Sequence, residues 1–182
     1  MTAPVLGIAA YSGTGKTTLL VRLVPLLKRR GLRLGVVKHA HHDFEIDYPG
    51  KDSYEVRKAG AEQVLVASRH RWALVTEMGD TGEPPLDALL ERLDRHRLDL
   101  VLVEGFKHGR FPKIELHRPV LGRPLLCLED ETVIALATDA PPQRAVPVPV
   151  LDLNRPEAIA EFICGRFLPD PKAILQERRA TS

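Results

Sequence analysis

The sequence predicts an α/β fold in which a mostly parallel sheet is flanked by helices as a three-layer sandwich, with some antiparallel strands added. Three features of its 182 residues carry that expectation. Apolar runs of strand length alternate with segments of helical period. The first run passes through a glycine-rich loop into a helix, as a parallel sheet with right-handed crossovers requires. Two further runs, residues 63–67 and 72–76, are so close together that they read as a hairpin.

Taken in order, residues 5–10 suit a buried strand, and Ser12-Gly13-Thr14-Gly15 follows. Leu19, Leu20, Leu23, Val24 and Leu27 then recur at helical spacing. Lys28, Arg29 and Arg30 place cations at the negative end of that helix, and Gly31 is its natural stop. Pro25 lacks an amide donor and is expected to kink or loosen the helix. Residues 33–39 form a second strand, followed by a polar stretch and a short helical segment ending at Gly60. Beyond the hairpin, residues 86–93 have helical period and 98–103 make the most apolar strand candidate. Later strands are expected at 114–117, 125–128, 133–137 and 148–153, with a last helix at 157–167. A single nucleotide-binding domain over 1–168 and a polar tail over 169–182, prone to fraying, complete the expected organisation.

Composition excludes several classes. Hydrophobic residues at 44% suffice for a core, and 27% charged residues with 5% aromatics are ordinary for a globular chain. No run approaches the roughly 18 apolar residues of a membrane span, and no basic leader precedes the first apolar run, so a cytoplasmic protein is expected. Lysine and arginine number 26 against 24 acids, a net charge of +2 that argues against nucleic acid as partner. Cys127 and Cys164 sit in apolar contexts and read as buried thiols, neither a disulfide framework nor a zinc site.

The run from Ala10 to Thr17, AYSGTGKT, fits the phosphate-binding pattern G-x-x-x-x-G-K-[ST], with Ala10 in place of the first glycine. Such a loop needs consecutive amides curled round an anion. Ser12, Gly13, Thr14, Gly15 and Thr18 frame that cradle, and the following helix adds its positive dipole end. Lys16 would reach the β- and γ-phosphates, and the Thr17 hydroxyl would ligate Mg2+. This context makes the fold one of the P-loop NTPase type. A metal-holding carboxylate belongs at the end of a neighbouring strand. Asp99 and Glu104 bracket residues 100–103, at opposite ends of roughly 16 Å of strand, and Glu104 is the one at the carboxyl end where ligands of such sheets bind.

On the same rim Lys38, His39, His41 and His42 leave the second strand. Their spacing is not a usual structural zinc pattern, so contact with phosphate or a partner ligand stands beside a metal reading. Asp47, Lys51, Asp52 and Ser53 follow in DYPGKDS, where Asp52 or Ser53 is expected either to cap the next helix or to act in the site directly. Lys107 joins Lys38 and Lys51 in a basic collar for a substrate carrying several phosphates. Two alternatives stay open on residues alone: a small-molecule kinase with Arg118 and Arg123 on a lid, and a nucleotide-switched binding module without useful turnover.

The phosphate loop, the run KHAHHD (38–43), PGKDSY (49–54), RKAGA (57–61) and LVEGFKH (102–108) together resemble MobB, the molybdopterin-guanine dinucleotide biosynthesis adaptor family, in order from about residue 4 to 153. The phosphate loop is generic; the other segments are specific to the family. The resemblance implies a homodimeric GTP-binding protein with weak GTPase activity. It implies assistance to a MobA-type molybdenum cofactor guanylyltransferase, which joins GMP from GTP to molybdopterin. GTP and Mg2+ are the implied cofactors, with molybdopterin or its guanine dinucleotide as a further ligand. The usual guanine-reading motif N-K-x-D is absent. Asp139, at the end of an apolar strand, could accept from the ring N–H and amino group of guanine, or it could cap a turn.

Overall fold

Six parallel strands make the main sheet. They are β1 (Val5–Ala9), β2 (Leu34–Lys38), β5 (Leu100–Glu104), β6 (Lys113–His117), β7 (Val133–Thr138) and β8 (Val150–Asp152), in spatial order β2-β5-β1-β6-β7-β8. A separate antiparallel hairpin pairs β3 (Gln63–Ala67) with β4 (Trp72–Thr76). The computed structural model describes residues 2–40, 44–79 and 82–168. The chain divides into two compact units: one built from the residues up to His39 and from Leu86 onward, the other from Ala40–Pro85. The parallel sheet lies wholly in the first unit and the hairpin in the second.

The central strands read as continuous apolar runs because both faces of the sheet are covered. On one face, Leu6, Ile8, Leu100 and Leu102 pack against Leu19, Leu23 and Leu27 of α1 (Lys16–Arg29) and against Ile159 of α4 (Pro156–Phe162). Each such fully buried side chain contributes roughly 2–3 kcal/mol relative to exposure. The alternate residues Val101 and Val103 face the other way, with Val37, and meet Leu90 of α3 (Leu86–Leu90) together with Phe106 and Phe111.

The return from β5 to β6 has no helix: residues 105–112 cross the sheet beneath β1. Gly7 makes room for it. A Cβ there would stand 2.6 Å from both Phe111 Cε2 and Lys113 Cγ. Lys113 itself is buried, and its ammonium donates to Gly109 O at 2.6 Å and pairs with Asp130 at 2.9 Å, so it ties the crossover to the turn before β7.

Pro25 lies inside α1 without ending it; it is solvent-facing, where water can serve the carbonyl that its missing amide leaves unbonded. Two local expectations are revised, at residues 125–128 and at the last helix. Residues 125–128 are not a strand. Leu126–Leu128 is a 3₁₀ turn, because the buried Glu115 carboxylate accepts from Leu126 N and Cys127 N at 2.8 Å each and so takes the donors a ladder would need. The last helix is α4, which gives way at Ile163–Phe167 to a π-helical turn.

In the second unit α2 (Asp52–Lys58) precedes the hairpin. Its Arg57 guanidinium is buried between Glu45 and Glu77, with Glu77 Oε1 at 2.6 Å, and so ties the entering chain and the exit of β4 to one helix. No helix among the described residues is long and apolar enough to cross a membrane.

Candidate nucleotide site

At the carboxyl end of β1 the chain turns through Ala10–Thr17 into α1, and two left-handed glycines make that turn: Gly13 at φ +80° and Gly15, the residue before the helix, at +103°. Side chains with a Cβ rarely adopt those angles. Thr14 is buried, its hydroxyl donating to Tyr11 O at 2.9 Å, so it contributes a backbone position and no side chain. The first turn of α1 holds no acid and no side chain caps it. Its leading amides and dipole are therefore left for an anion. Lys16 Nζ donates to Ala10 O at 3.2 Å and Tyr11 O at 3.3 Å, closing the loop on itself. Ser12, Thr17 and Thr18 are exposed along it.

β5, beside β1, and β2, the next strand out, bring their ends to this loop. From β5, Glu104 is buried, and its Oε1 lies 3.5 Å from the Thr17 hydroxyl, which donates to it. A hydroxyl and a carboxylate converging from two elements are hard oxygen donors of the kind Mg2+ takes. From β2, Lys38 Nζ stands 3.9 Å from Glu104 Oε2. Asp99, at the other end of β5, accepts from Arg33 N at 2.5 Å and has no part in the rim.

Gly105 governs how these two strand ends meet. It sits at φ +112°, and a Cβ on it would fall 2.5 Å from His39 Cβ. With no side chain in the way, His39 N donates to Glu104 O at 2.8 Å and its ring lies 5.2 Å from that of Phe106. His41 and His42 lie outside the described residues, and among the described residues no group of three or more metal-binding side chains forms.

On the other side of β1, Arg118 follows β6 directly. Its Nε donates to Thr14 O at 2.9 Å and its Nη1 pairs with Asp139, which follows β7. Tyr11 carries two further cations near its ring, Lys107 Nζ at 5.1 Å and Arg123 Cζ at 5.7 Å from the centroid. Thus Lys16, Thr17, Lys38, His39, Glu104, Lys107 and Asp139 gather on one rim. The link through Arg118 went unrecognised in the sequence. Its signal was positional, since Arg118, like Glu104 and Asp139, closes an apolar strand run.

Asp47, Lys51 and Asp52 belong to the second unit. Neither Asp52 nor Ser53 caps α2: Lys51 precedes the helix without a side-chain cap, and Glu55 Oε1 instead reaches back to accept from Gly50 N at 3.1 Å. The Asp47 carboxylate accepts from Tyr48 N at 3.0 Å. Lys51 and Asp52 line, with Val56 and β3, a cavity of about 510 Å3 within that unit. A second cavity, about 430 Å3, adjoins Cys127 and Val133 at the amino end of β7, away from the phosphate loop. Burial, then the neighbouring Glu115 carboxylate, pushes the Cys127 thiol up to about 11, which leaves it inert.

A glycine-rich turn between a central parallel strand and a helix, with lysine and hydroxyl at the helix start and a carboxylate on the next strand, defines a protein of the P-loop class. Within that class, the family model for MobB, molybdopterin guanine dinucleotide synthesis protein B, matches residues 5–139. The chain is 53% identical over 161 residues to the molybdopterin-guanine dinucleotide biosynthesis adapter protein of Escherichia coli (strain K12), covering 88% of this chain and 91% of that one. It is 48% identical to the adapter protein of the same name from Haemophilus influenzae, over 88% and 87% of the two chains. The crystal structure of a molybdopterin-guanine biosynthesis protein B superposes with a TM-score of 0.67 at 31% identity, over 87% of this chain and 95% of that one. The chain belongs to the MobB family of adapters in molybdopterin-guanine dinucleotide biosynthesis.

Proposed function

We propose that the chain binds GTP with Mg2+ at the phosphate loop and, in that form, assists a MobA-type guanylyltransferase that attaches GMP to molybdopterin. The observation that carries this reading is the uncapped start of α1, with Lys16 at the loop and Thr17 Oγ1 3.5 Å from Glu104 Oε1. In this reading the amides of Ser12–Thr18 cradle the phosphates and Lys16 neutralises charge on the β- and γ-groups. Thr17 and Glu104 would hold Mg2+, which would supply further compensation of the phosphate charge. Asp139 accepts from the guanine base.

Lys38, His39 and Lys107 supply positive and hydrogen-bonding groups for molybdopterin or its guanine dinucleotide on the rim. His41, His42, Asp47, Lys51 and Asp52 are candidates for the same ligand or for the partner. GTPase activity is weak in this reading because a charge or water-positioning group that completes the site comes from a second subunit or the partner. A homodimer is supported by the hairpin, which exposes Leu65, Trp72 and Leu74. Two free cysteines suit a reducing cytoplasm.

Calorimetric titration with GTP and Mg2+ tests the core of this reading. Wild-type protein is expected to bind, and Lys16→Ala to lose binding; unchanged affinity in Lys16→Ala refutes the assignment of the loop. Co-purification with the guanylyltransferase, followed by nucleotide and pterin analysis, tests the partnership.

A further inference from the structure

Arg118 spans from the phosphate loop to Asp139. It follows β6 at the carboxyl rim, donates from Nε to Thr14 O at 2.9 Å, and pairs through Nη1 with Asp139 Oδ2. Its Nη2 stands 3.8 Å from where a Cβ on Gly15 would lie, so the guanidinium rests against the last glycine of the loop. Arg118 and Asp139 keep side-chain exposures of 32% and 22%. An ion pair that wet adds little to stability. The planar fork of a guanidinium, in contrast, holds two acceptors in fixed relative directions, which an ammonium on a flexible stem does not.

We propose that Arg118 is a specificity-positioning residue: braced on Thr14 O, it sets Asp139 at a fixed place relative to the phosphate loop and so makes guanine selection depend on it. This rests on the reading of Asp139 as the base acceptor. The chain lacks N-K-x-D, and Asp139 is instead held by Arg118, which arrives from the end of a different strand. With Oδ2 held by the guanidinium, the carboxylate is fixed in rotation, and its remaining lone pairs face ligand N–H groups in a defined direction. Removing Arg118 frees that rotation. The base then loses its selective contact while the loop amides and Lys16 continue to bind phosphates.

The test uses the full chain with Mg2+ in excess, and calorimetric affinities for GTP, ITP, XTP, ATP and tripolyphosphate. In Arg118→Ala the preference for GTP over ATP, and over ITP, which lacks the 2-amino group, is expected to fall about tenfold, the scale of one hydrogen bond to a charged acceptor. Tripolyphosphate affinity is expected to stay within about twofold, and Arg118→Lys to restore only part of the preference. Arg118→Gln is read by the same criteria should the alanine variant fail to fold.

An intact preference in Arg118→Ala overturns the proposal, as does tripolyphosphate weakening by the same factor as GTP, which would make Arg118 a phosphate contact. Asp139→Asn separates the two readings. Its amide offers a donor that suits the 2-oxo group of xanthine, so a switch from GTP to XTP supports Asp139 as base acceptor. That switch with an unaltered Arg118→Ala ends this inference alone. GTP preference retained in Asp139→Asn, or no preference in the wild type, ends both.

Discussion

Gly105→Ala should be among the most costly small substitutions on the rim. The residue stands at φ +112°, where an L side chain is strained by about 1–3 kcal/mol. The added Cβ would also meet His39 Cβ at 2.5 Å, an approach between two atoms fixed to backbone that no rotamer change relieves. Relief requires the exits of β2 and β5 to part, which strains the bond from His39 N to Glu104 O at 2.8 Å, worth about 1 kcal/mol. Together these give a loss of roughly 2–4 kcal/mol, or about 4–16 °C in melting temperature for a chain of this size. Gly122→Ala is the control: at φ +60° with no atom within 4 Å, it feels backbone strain alone. Thermal unfolding followed by circular dichroism would compare the two. The double variant with His39→Gly should recover the part due to the clash. A Gly105→Ala melting point within 1 °C of the wild type, or a loss no greater than that of Gly122→Ala, would refute the reasoning.

Other expectations follow from the charged and thiol groups. Hydrogen bonding to Arg57 holds the Glu77 carboxyl below its ordinary 4.5, so its stabilising contribution is present above that value and is lost as pH falls through the lower folded value. Amide protection factors in α2 and β4, taken relative to the intrinsic exchange rate at each pH, should fall on acidification in the wild type, and an equal fall in Arg57→Met would count against the clamp. Lys38→Met removes a cation 3.9 Å from Glu104 and should raise Mg2+ affinity about two- to fivefold, as suits a half-exposed pair; weaker Mg2+ binding in a metal titration would contradict this. Cys127, with its thiol near 11, should resist disulfide reagents at neutral pH until the protein unfolds, whereas rapid modification of the native chain would show that the buried setting is wrong.

The parts legible in the sequence were those with local causes. Continuous apolar runs mark strands covered on both faces, and the hairpin at Gln63–Ala67 and Trp72–Thr76 falls where its spacing placed it. The phosphate loop shows because its lysine, glycines and hydroxyl are adjacent in the chain, and Glu104 because it ends the most apolar run. Leu126 was misread for lack of any local sign that Glu115, buried on β6, would claim its amide. Asp52 carries the composition of a cap, yet Glu55 reaches back to Gly50 instead, a choice between equally suitable acids that only backbone geometry decides. The Arg118–Asp139 pair joins the ends of two strands, and the Arg57 clamp joins three separate segments. Neither has a spacing rule to betray it.

The position of β1 has a consequence for synthesis. β1 is an interior strand of the sheet that is synthesised well before both of its neighbours: Val5 waits for Val101, and Ala9 for Glu115. Until β6 has emerged, an apolar strand with at least one unpaired edge, and the glycine loop behind it, must be kept from other chains. Premature termination anywhere before β6 therefore yields not a weaker protein but an exposed strand.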